Sequence, residues 1–235
     1  YILYENLLGY FDSIKILVSK SEEGYARKSK IFLGKDYLII NNGVRNRNNK
    51  NLEINHNFLN RINSKVKVIS IGRFVSQKNI NDIIKIAKKM PNLNFQIIGD
   101  GPLWQIINNS IKNLKINNVE LLGEKNDVFK YLYKADIFLS TSLYEGLPIS
   151  ILEAMSIGLP IVASNVTGNL DTVVNGKSGY LYNLNDIDMA VNYLNKLAKD
   201  IKLRSKIGNY SFQRQRRFFS EELMIKKYIN LYKGI

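Results

Sequence analysis

The fold is decided by the stretch Ser-Leu-Tyr-Glu-Gly-Leu-Pro-Ile-Ser-Ile-Leu-Glu-Ala-Met, residues 142–155. The apolar run at 137–140 just before it predicts a buried strand. A helix near 149–157 should follow, because Pro148 suits a first helical turn and the next residues offer a buried side formed by Ile149, Leu152, Ala154 and Met155. A strand, a turn containing glycine and proline, and a helix are the repeating unit of a parallel α/β sheet.

Two carboxylates lie around the start of this predicted helix. Glu145 belongs to the turn, and Glu153 lies about one turn into the helix. The free N–H groups and positive dipole end at Pro148 can hold a diphosphate, with one carboxylate near a sugar and the other near a ribose. The stretch therefore predicts a glycosyl donor site. A lone glutamate pair at this spacing is more often solvated surface, so the prediction depends on the rest of the chain.

The same alternation of short apolar strands and amphipathic helices continues along the chain. It predicts an α/β protein with a doubly wound parallel sheet. Strands are expected near 37–40, 66–71, 94–98, 119–122, 137–140 and 161–163, and helices near 80–89, 103–114, 127–134, 149–157 and 187–199. In such sheets a ligand lies beyond the carboxyl ends of the strands. The residues that follow the strands there are Gly72-Arg73, Gly99-Asp100-Gly101, Gly123-Glu124-Lys125, Ser142 to Glu145, and Thr167-Gly168.

Two cations in these loops are candidates for binding phosphate. Arg73 offers a bidentate fork and Lys78 a point charge, a pair suited to a diphosphate whose charge grows as the sugar leaves. Taken singly, Arg73 could instead pair with a local carboxylate, and Lys78 could be an ordinary surface residue at a helix start.

Composition limits the class of protein. The 235 residues, 45% of them hydrophobic, can bury a substantial core, and the absence of cysteine excludes disulfides and thiolate metal sites. No apolar run approaches the ~18 residues of a membrane span, and the N-terminus lacks a signal-peptide pattern. We therefore expect a cytoplasmic protein, soluble or peripheral on the inner face of the plasma membrane.

The net charge of +14 raises the alternative of a nucleic-acid-binding protein. The basic residues are scattered, however, except for Arg214, Arg216 and Arg217. We expect no nucleic-acid partner, whereas an anionic membrane surface stays a candidate partner.

Two motifs compete with the donor site. Gly99-Asp100-Gly101 lacks the third glycine of a dinucleotide loop, because Trp104 stands there. Asp186-Ile187-Asp188 imitates a metal-binding Asp-x-Asp, but it opens a helical pattern and favours a cap. We predict no cofactor and no metal.

The motifs together resemble the retaining GT-B glycosyltransferases of glycosyltransferase family four. The resemblance runs from about residue 37 to 183 and rests on Gly72-Arg73 with Lys78, Gly99 to Pro102, Leu122-Gly123, Ala135 to Ile137, Glu145 with Glu153, Glu153-Ala154-Met155, Gly158 to Ala163, and Gly176 to Gly179. It implies a Rossmann-like donor-binding half in which Arg73 and Lys78 contact the diphosphate, Glu153 binds the ribose and Glu145 lies near the sugar. The candidate catalytic residues are Glu145, Arg73 and Lys78; the candidate donor-binding residues are Gly72, Arg73, Lys78, Gly123, Lys125, Ser142, Gly146, Leu147, Pro148 and Glu153.

The resemblance also implies a division of the chain. Residues 1–43 would be a remnant of the N-terminal acceptor domain and the hinge, 44–213 the donor domain, and 214–235 a C-terminal helix returning toward the first domain. Ser13–Glu22 resembles the last strand of that first domain, and Asn41–Val44 the hinge. The family's histidine near the donor sugar has no counterpart, because His56 lies in an Asn-rich stretch, and Asp171 stands where the family commonly has glutamate.

The predicted function is that of a retaining hexosyltransferase, present as a partial chain that is inactive by itself. The expected donor is a nucleotide diphosphate sugar, foremost a UDP-sugar, and the expected acceptor is a saccharide or lipid-linked saccharide in bacterial surface polysaccharide synthesis, such as capsule. A non-catalytic nucleotide-sugar binding module and a basic nucleic-acid-binding protein remain as alternatives.

Overall fold

A computed structural model describes residues 14–29, 37–46 and 65–234 of the chain. Its strands are β1 (Lys15–Leu17), β2 (Tyr37–Ile39), β3 (Lys67–Ile71), β4 (Asn94–Ile98), β5 (Val119–Gly123), β6 (Ile137–Ser140), β7 (Ile161–Ser164) and β8 (Gly179–Tyr182). Its helices are α1 (Lys20–Lys28), α2 (Ile80–Lys89), α3 (Trp104–Asn113), α4 (Phe129–Leu132), α5 (Ile149–Ser156), α6 (Asn169–Thr172), α7 (Ile187–Lys199), α8 (Ile201–Phe218) and α9 (Glu221–Lys233). A short 3₁₀ turn, Ser76–Lys78, precedes α2.

The main sheet has six strands in the order β5-β4-β3-β6-β7-β8, and every neighbouring pair is parallel. The chain builds outward from β3 to β5 and then returns to the other side of β3 with β6. This confirms the predicted doubly wound α/β fold. The reversal places the switch point between β3 and β6, where the crevice of such a sheet forms.

Both faces of the sheet are buried. In β6, Ile137 and Leu139 join the core under α2, α3 and α7, whereas Phe138 joins the opposite core with α5. Side chains alternate between the faces of a strand, so a strand covered on both sides must be apolar throughout. All three of these residues are fully buried, and each contributes roughly 1.5–3 kcal/mol relative to exposure.

A second, two-stranded parallel sheet pairs β1 with β2. The expected single strand over Ser13–Glu22 is wrong beyond Leu17, because α1 begins at Lys20 and the Ser19 side chain caps it by accepting from the Glu22 backbone N–H. Ser13 itself lies outside the described residues. The hinge segment Asn41–Val44 follows β2, and the Val44 carbonyl accepts from the Gln215 side chain of α8 at 2.9 Å.

The C-terminal helices were expected only in part. Ser220 caps α9 through the Leu223 N–H, as its sequence indicates. The residue pattern did not predict α8, because its buried face includes the polar residues Arg204 and Gln215. A Cβ on Gly208 would lie 2.1 Å from the Gly158 carbonyl oxygen, so the missing side chain lets α8 pack closely there.

Three further predictions concern single residues or the bounds of the segments. Ile149, expected on the buried side of α5, is 54% exposed, and Ile151 is buried instead. The division of the chain into three segments stays a prediction, and α8 continues through residue 214. His56 lies outside the described residues.

Candidate functional site

The loops that follow β3 and β6 are joined at the switch point. The Leu143 N–H donates to the Gln77 carbonyl at 2.8 Å, and the Gln77 side-chain amide donates to the Tyr144 carbonyl at 2.9 Å. The Thr141 hydroxyl lies 3.0 Å from each of the Lys78 and Asn79 carbonyl oxygens. These hydrogen bonds connect residues more than 60 positions apart in sequence.

Lys78 and Glu145 form an ion pair between these two loops. The Lys78 ammonium nitrogen lies 2.6 Å from Glu145 Oε1, and the two side chains are 22% and 8% exposed. A Cβ on Gly72 would approach the Lys78 methylenes at 3.3 Å, so the glycine leaves room for the lysine stem. The structure therefore brings three of the predicted site residues together.

The start of α5, four residues after Glu145, presents unused backbone donors. The Ile151 and Leu152 N–H groups both donate to the Pro148 carbonyl, at 3.1 and 3.2 Å. Within the described residues, the N–H groups of Ile149 and Ser150 donate to no acceptor. The first turn holds no acidic residue that would neutralise the dipole. An anion can therefore be bound at this helix start.

Two other segments hold the loop between Glu145 and Pro148. The Asn42 side-chain amide donates to the Leu147 carbonyl at 3.0 Å, which connects the hinge segment to the site. Gly168 has a φ of +81°, and a Cβ there would lie 2.5 Å from the Gly146 carbonyl oxygen and 2.8 Å from that of Glu145. The loop after β7 can approach this closely only because residue 168 lacks a side chain.

Arg73 lies in the loop after β3 and is exposed. Its side chain has no hydrogen bond or ion pair to any described residue, unlike Lys78. The local-carboxylate alternative for Arg73 therefore finds no partner in the described part of the chain. Glu153 is half-buried on α5, eight positions after Glu145.

The remaining predicted residues divide between loop backbone and core. Gly123 has a φ of +69° and accepts from the Gly99 N–H at 3.0 Å. The Lys125 ammonium lies 5.9 Å from the Tyr131 ring centroid. Ser142 is 2% exposed, and its hydroxyl lies 3.4 Å from that of Ser140. The Ser142 side chain is thus packed inside the sheet edge.

Sequence reasoning missed Thr141 and Asn42. Thr141 carries a weak signal, because a hydroxyl residue directly after a buried strand can satisfy loop carbonyls. Asn42 carries none, since its bond to Leu147 joins residues 105 positions apart.

The competing Asp186-Ile187-Asp188 motif has a structural role. The Asp186 carboxylate accepts from the Met189 N–H at 3.0 Å, which confirms the predicted cap, and Asp188 pairs with Lys89. No group of three or more His, Cys, Asp or Glu side chains suited to a metal occurs among the residues that the structure covers. No described helix is long and apolar enough to cross a membrane.

The one cluster of arginines is also partly structural. Arg214 donates to the Thr172 and Asp171 carbonyls at 2.8 and 2.7 Å. Burial lowers its pKa from the usual arginine value. Arg216 and Arg217 lie over the rings of Phe212 and Phe218. The Asp171 carboxylate accepts from the Ser21 N–H at 2.9 Å, so this departure from the family pattern affects a contact with α1.

Comparisons with known proteins agree on one family. Residues 51–214 match the family described as "Glycosyl transferases group 1". The chain is 39% identical over 139 residues, 55% of its length and 36% of the relative's, to the Escherichia coli UDP-Gal:alpha-D-GlcNAc-diphosphoundecaprenol alpha-1,3-galactosyltransferase. It is 28% identical over 191 residues, 79% of its length and 50% of the relative's, to the Staphylococcus aureus capsular polysaccharide biosynthesis glycosyltransferase CapM.

A solved structure supports the same assignment. The chain superposes with a TM-score of 0.80 and 25% identity on a point mutant of S. aureus TarM in complex with fondaparinux, alpha-GlcNAc-glycerol and UDP, covering 92% of this chain and 43% of that one. The chain thus spans about a third to a half of the length of these relatives.

Proposed function

The chain belongs to the family of group 1 glycosyl transferases, and from that premise we propose that it binds a nucleotide diphosphate sugar at the β3–β6 switch point. One observation carries the proposal. Lys78 pairs with Glu145 in the loop that leads into α5, and the first N–H groups of α5 are unused, at the switch point where ligands of doubly wound sheets bind. A cation, a carboxylate and a helix dipole suit the phosphates and the sugar of such a donor.

We propose a role for each candidate site residue. Arg73 and Lys78 bind the diphosphate together with the α5 N–H groups, and they stabilise its growing charge as the sugar leaves. Glu145 lies near the donor sugar and Glu153 binds the ribose hydroxyls. Gly72, Gly123, Lys125, Gly146, Leu147 and Pro148 would shape or line the donor site, and Ser142 would act through the loop that it anchors.

The finer description is a retaining transfer of the family-four type. We propose a UDP-sugar as donor, since UDP is part of the related TarM complex. The proposed acceptor is a saccharide or lipid-linked saccharide in bacterial surface polysaccharide synthesis, in keeping with the names of the two relatives. The enzyme would act at the inner face of the plasma membrane, without a resident metal or cofactor.

Calorimetry on four proteins tests the diphosphate site. Arg73→Ala and Lys78→Ala should each lose about 1.5–3 kcal/mol of affinity for UDP and little for uridine, because charge-assisted bonds to phosphate are removed. Lys88→Ala is the matched control, since Lys88 is an exposed cation that lines a different cavity with Lys65 and Lys115. Equal losses of UDP affinity in Lys88→Ala and Lys78→Ala would mean that UDP responds to the overall positive charge of the protein and not to a local phosphate site.

The chain alone should bind the donor without transferring the sugar. A two-walled cleft needs groups from both walls and exclusion of water on closure. The chain would be incubated with UDP-[¹⁴C]galactose and a lipid-linked acceptor, and labelled product counted. Turnover by this chain alone would show that the catalytic groups are wrongly placed. Binding that persists without transfer in a longer form of the protein would favour the non-catalytic module.

A further inference from the structure

Thr141 lies where the two loops that carry Lys78 and Glu145 meet. It directly follows β6 and is 2% exposed. We propose that Thr141 is a positioning residue, which holds Lys78 where its ammonium group meets the donor diphosphate. The inference rests on the proposed function, because it concerns the same site.

The Thr141 hydroxyl serves two carbonyl oxygens at once. It lies 3.0 Å from that of Lys78 and 3.0 Å from that of Asn79, so its single hydrogen is shared between them. Within the described chain, no other group donates to the Lys78 carbonyl. Without the hydroxyl this carbonyl would face a buried methyl group and lose its partner.

The backbone at this point needs such support. Asn79 has a φ of +47° and reverses the chain between the 3₁₀ turn and α2. Asparagine adopts the left-handed region more readily than most non-glycine residues, but the conformation still costs free energy, and surrounding contacts help to hold it. The Asn79 carbonyl accepts from the Asp82 N–H and also lies beside the Thr141 hydroxyl. These two contacts connect the turn to α2 and to the end of β6.

Lys78 is therefore held at its two ends. Thr141 fixes its backbone, Gly72 leaves room for its stem at 3.3 Å, and Glu145 pairs with its ammonium at 2.6 Å. Thr141 itself is too buried to contact a ligand. Loss of its hydroxyl should consequently weaken ligands that carry a diphosphate and spare those that do not.

The test compares Thr141→Val, which keeps the shape but lacks the hydroxyl, with Thr141→Ser, which keeps the hydroxyl. UDP and uridine affinities would be measured by calorimetry and NMR titration. We expect Thr141→Val to bind UDP about fivefold more weakly, a typical loss for one buried hydrogen bond, with uridine unchanged and Thr141→Ser near wild type. In a Lys78→Ala background, Thr141→Val should cause no further loss.

A ligand-free measurement separates this inference from the proposed function. The ¹⁵N resonance of the Lys78 ammonium, assigned by comparison with Lys78→Ala, should shift in Thr141→Val and be restored in Thr141→Ser. Equal losses for UDP and uridine, or wild-type UDP affinity in Thr141→Val, would overturn the positioning role. Failure of the wild-type chain to bind UDP would overturn the donor site, while an unchanged Lys78 resonance in Thr141→Val would overturn the positioning role by itself.

Discussion

The ion pair between Lys78 and Glu145 changes the role expected of each side chain. Each was expected to face the donor, Lys78 at the phosphates and Glu145 at the sugar, yet they pair with each other at 2.6 Å. The carboxylate offsets the lysine charge at the place where a diphosphate would bind. An incoming phosphate would therefore meet a cation that already has a counter-ion.

Glu145→Gln should for this reason bind UDP more tightly than wild type. Releasing the Lys78 ammonium from its counter-ion should raise affinity by about 1 kcal/mol, or roughly fivefold, which is the upper end of the range for exposed ion pairs, because this pair is largely buried. Calorimetry at fixed salt would measure this change. In the Lys78→Ala background, which is the matched control, the substitution relieves only the direct repulsion between Glu145 and the phosphates, so the gain should be smaller. Weaker binding by Glu145→Gln would instead mean that orientation of the Lys78 ammonium by the carboxylate matters more for the ligand than neutralisation of its charge.

Among the elements, the loop before α5 depends on the loop after β7. A Cβ on Gly168 would lie so close to the carbonyl oxygens of Glu145 and Gly146 that there is no room for a side chain. Gly176 has a similar φ, +75° against +81°, but a Cβ there would meet nothing within 4 Å. The two glycines thus share a positive φ, but Gly168 also has close steric contacts and a ψ of −46°, outside the left-handed helical region.

Gly168→Ala should destabilise the chain more than Gly176→Ala. Gly176→Ala, the control, should lose about 1 kcal/mol of unfolding free energy because alanine disfavours the left-handed conformation. Gly168→Ala adds a clash with backbone that cannot move cheaply, so we expect a further loss of about 2 kcal/mol and weaker UDP binding. Urea unfolding would measure the free energies. Similar losses in both variants would show that the site loop tolerates displacement.

At the scale of the whole molecule, the charge of +14 must be reconciled with a donor site. The arginine cluster is occupied in part, since Arg214 binds two backbone carbonyls and Arg216 and Arg217 cover aromatic rings. The switch point, by contrast, offers an exposed Arg73 and free N–H groups to a small anion. These observations favour a compact phosphate ligand over a long polyanion.

Duplex DNA should consequently bind weakly and without competing with UDP. At ~0.15 M salt we expect a dissociation constant within the non-specific range of about 10⁻⁴–10⁻⁶ M. Fluorescence anisotropy of a labelled duplex, with and without saturating UDP, would measure it. Vesicles rich in anionic lipid serve as the comparison, because the proposed membrane location requires binding to them at the same salt. Displacement of the duplex by UDP would revive the nucleic-acid alternative.

Local patterns in the sequence predicted most elements of the main sheet. The apolar runs of β3 to β7 and the amphipathic repeat of α2 and α7 report burial directly, because each residue's place on a strand or helix face follows from its neighbours. The pattern failed at α8, whose buried side carries Arg204 and Gln215, and at Ile149, which lies at the exposed start of α5. There, tertiary neighbours decide burial.

Residue patterns along the chain were enough to predict a parallel α/β protein with Arg73, Lys78, Glu145 and Glu153 as candidate donor-site residues. The position of β6 beside β3, and with it the ion pair between Lys78 and Glu145, follows from tertiary packing. The periodicity of a segment specifies which face is apolar, but it does not specify which distant segment covers that face. The Thr141 contacts and the Asn42 bond to Leu147 arise only when packing brings such segments together, so no local pattern contains them.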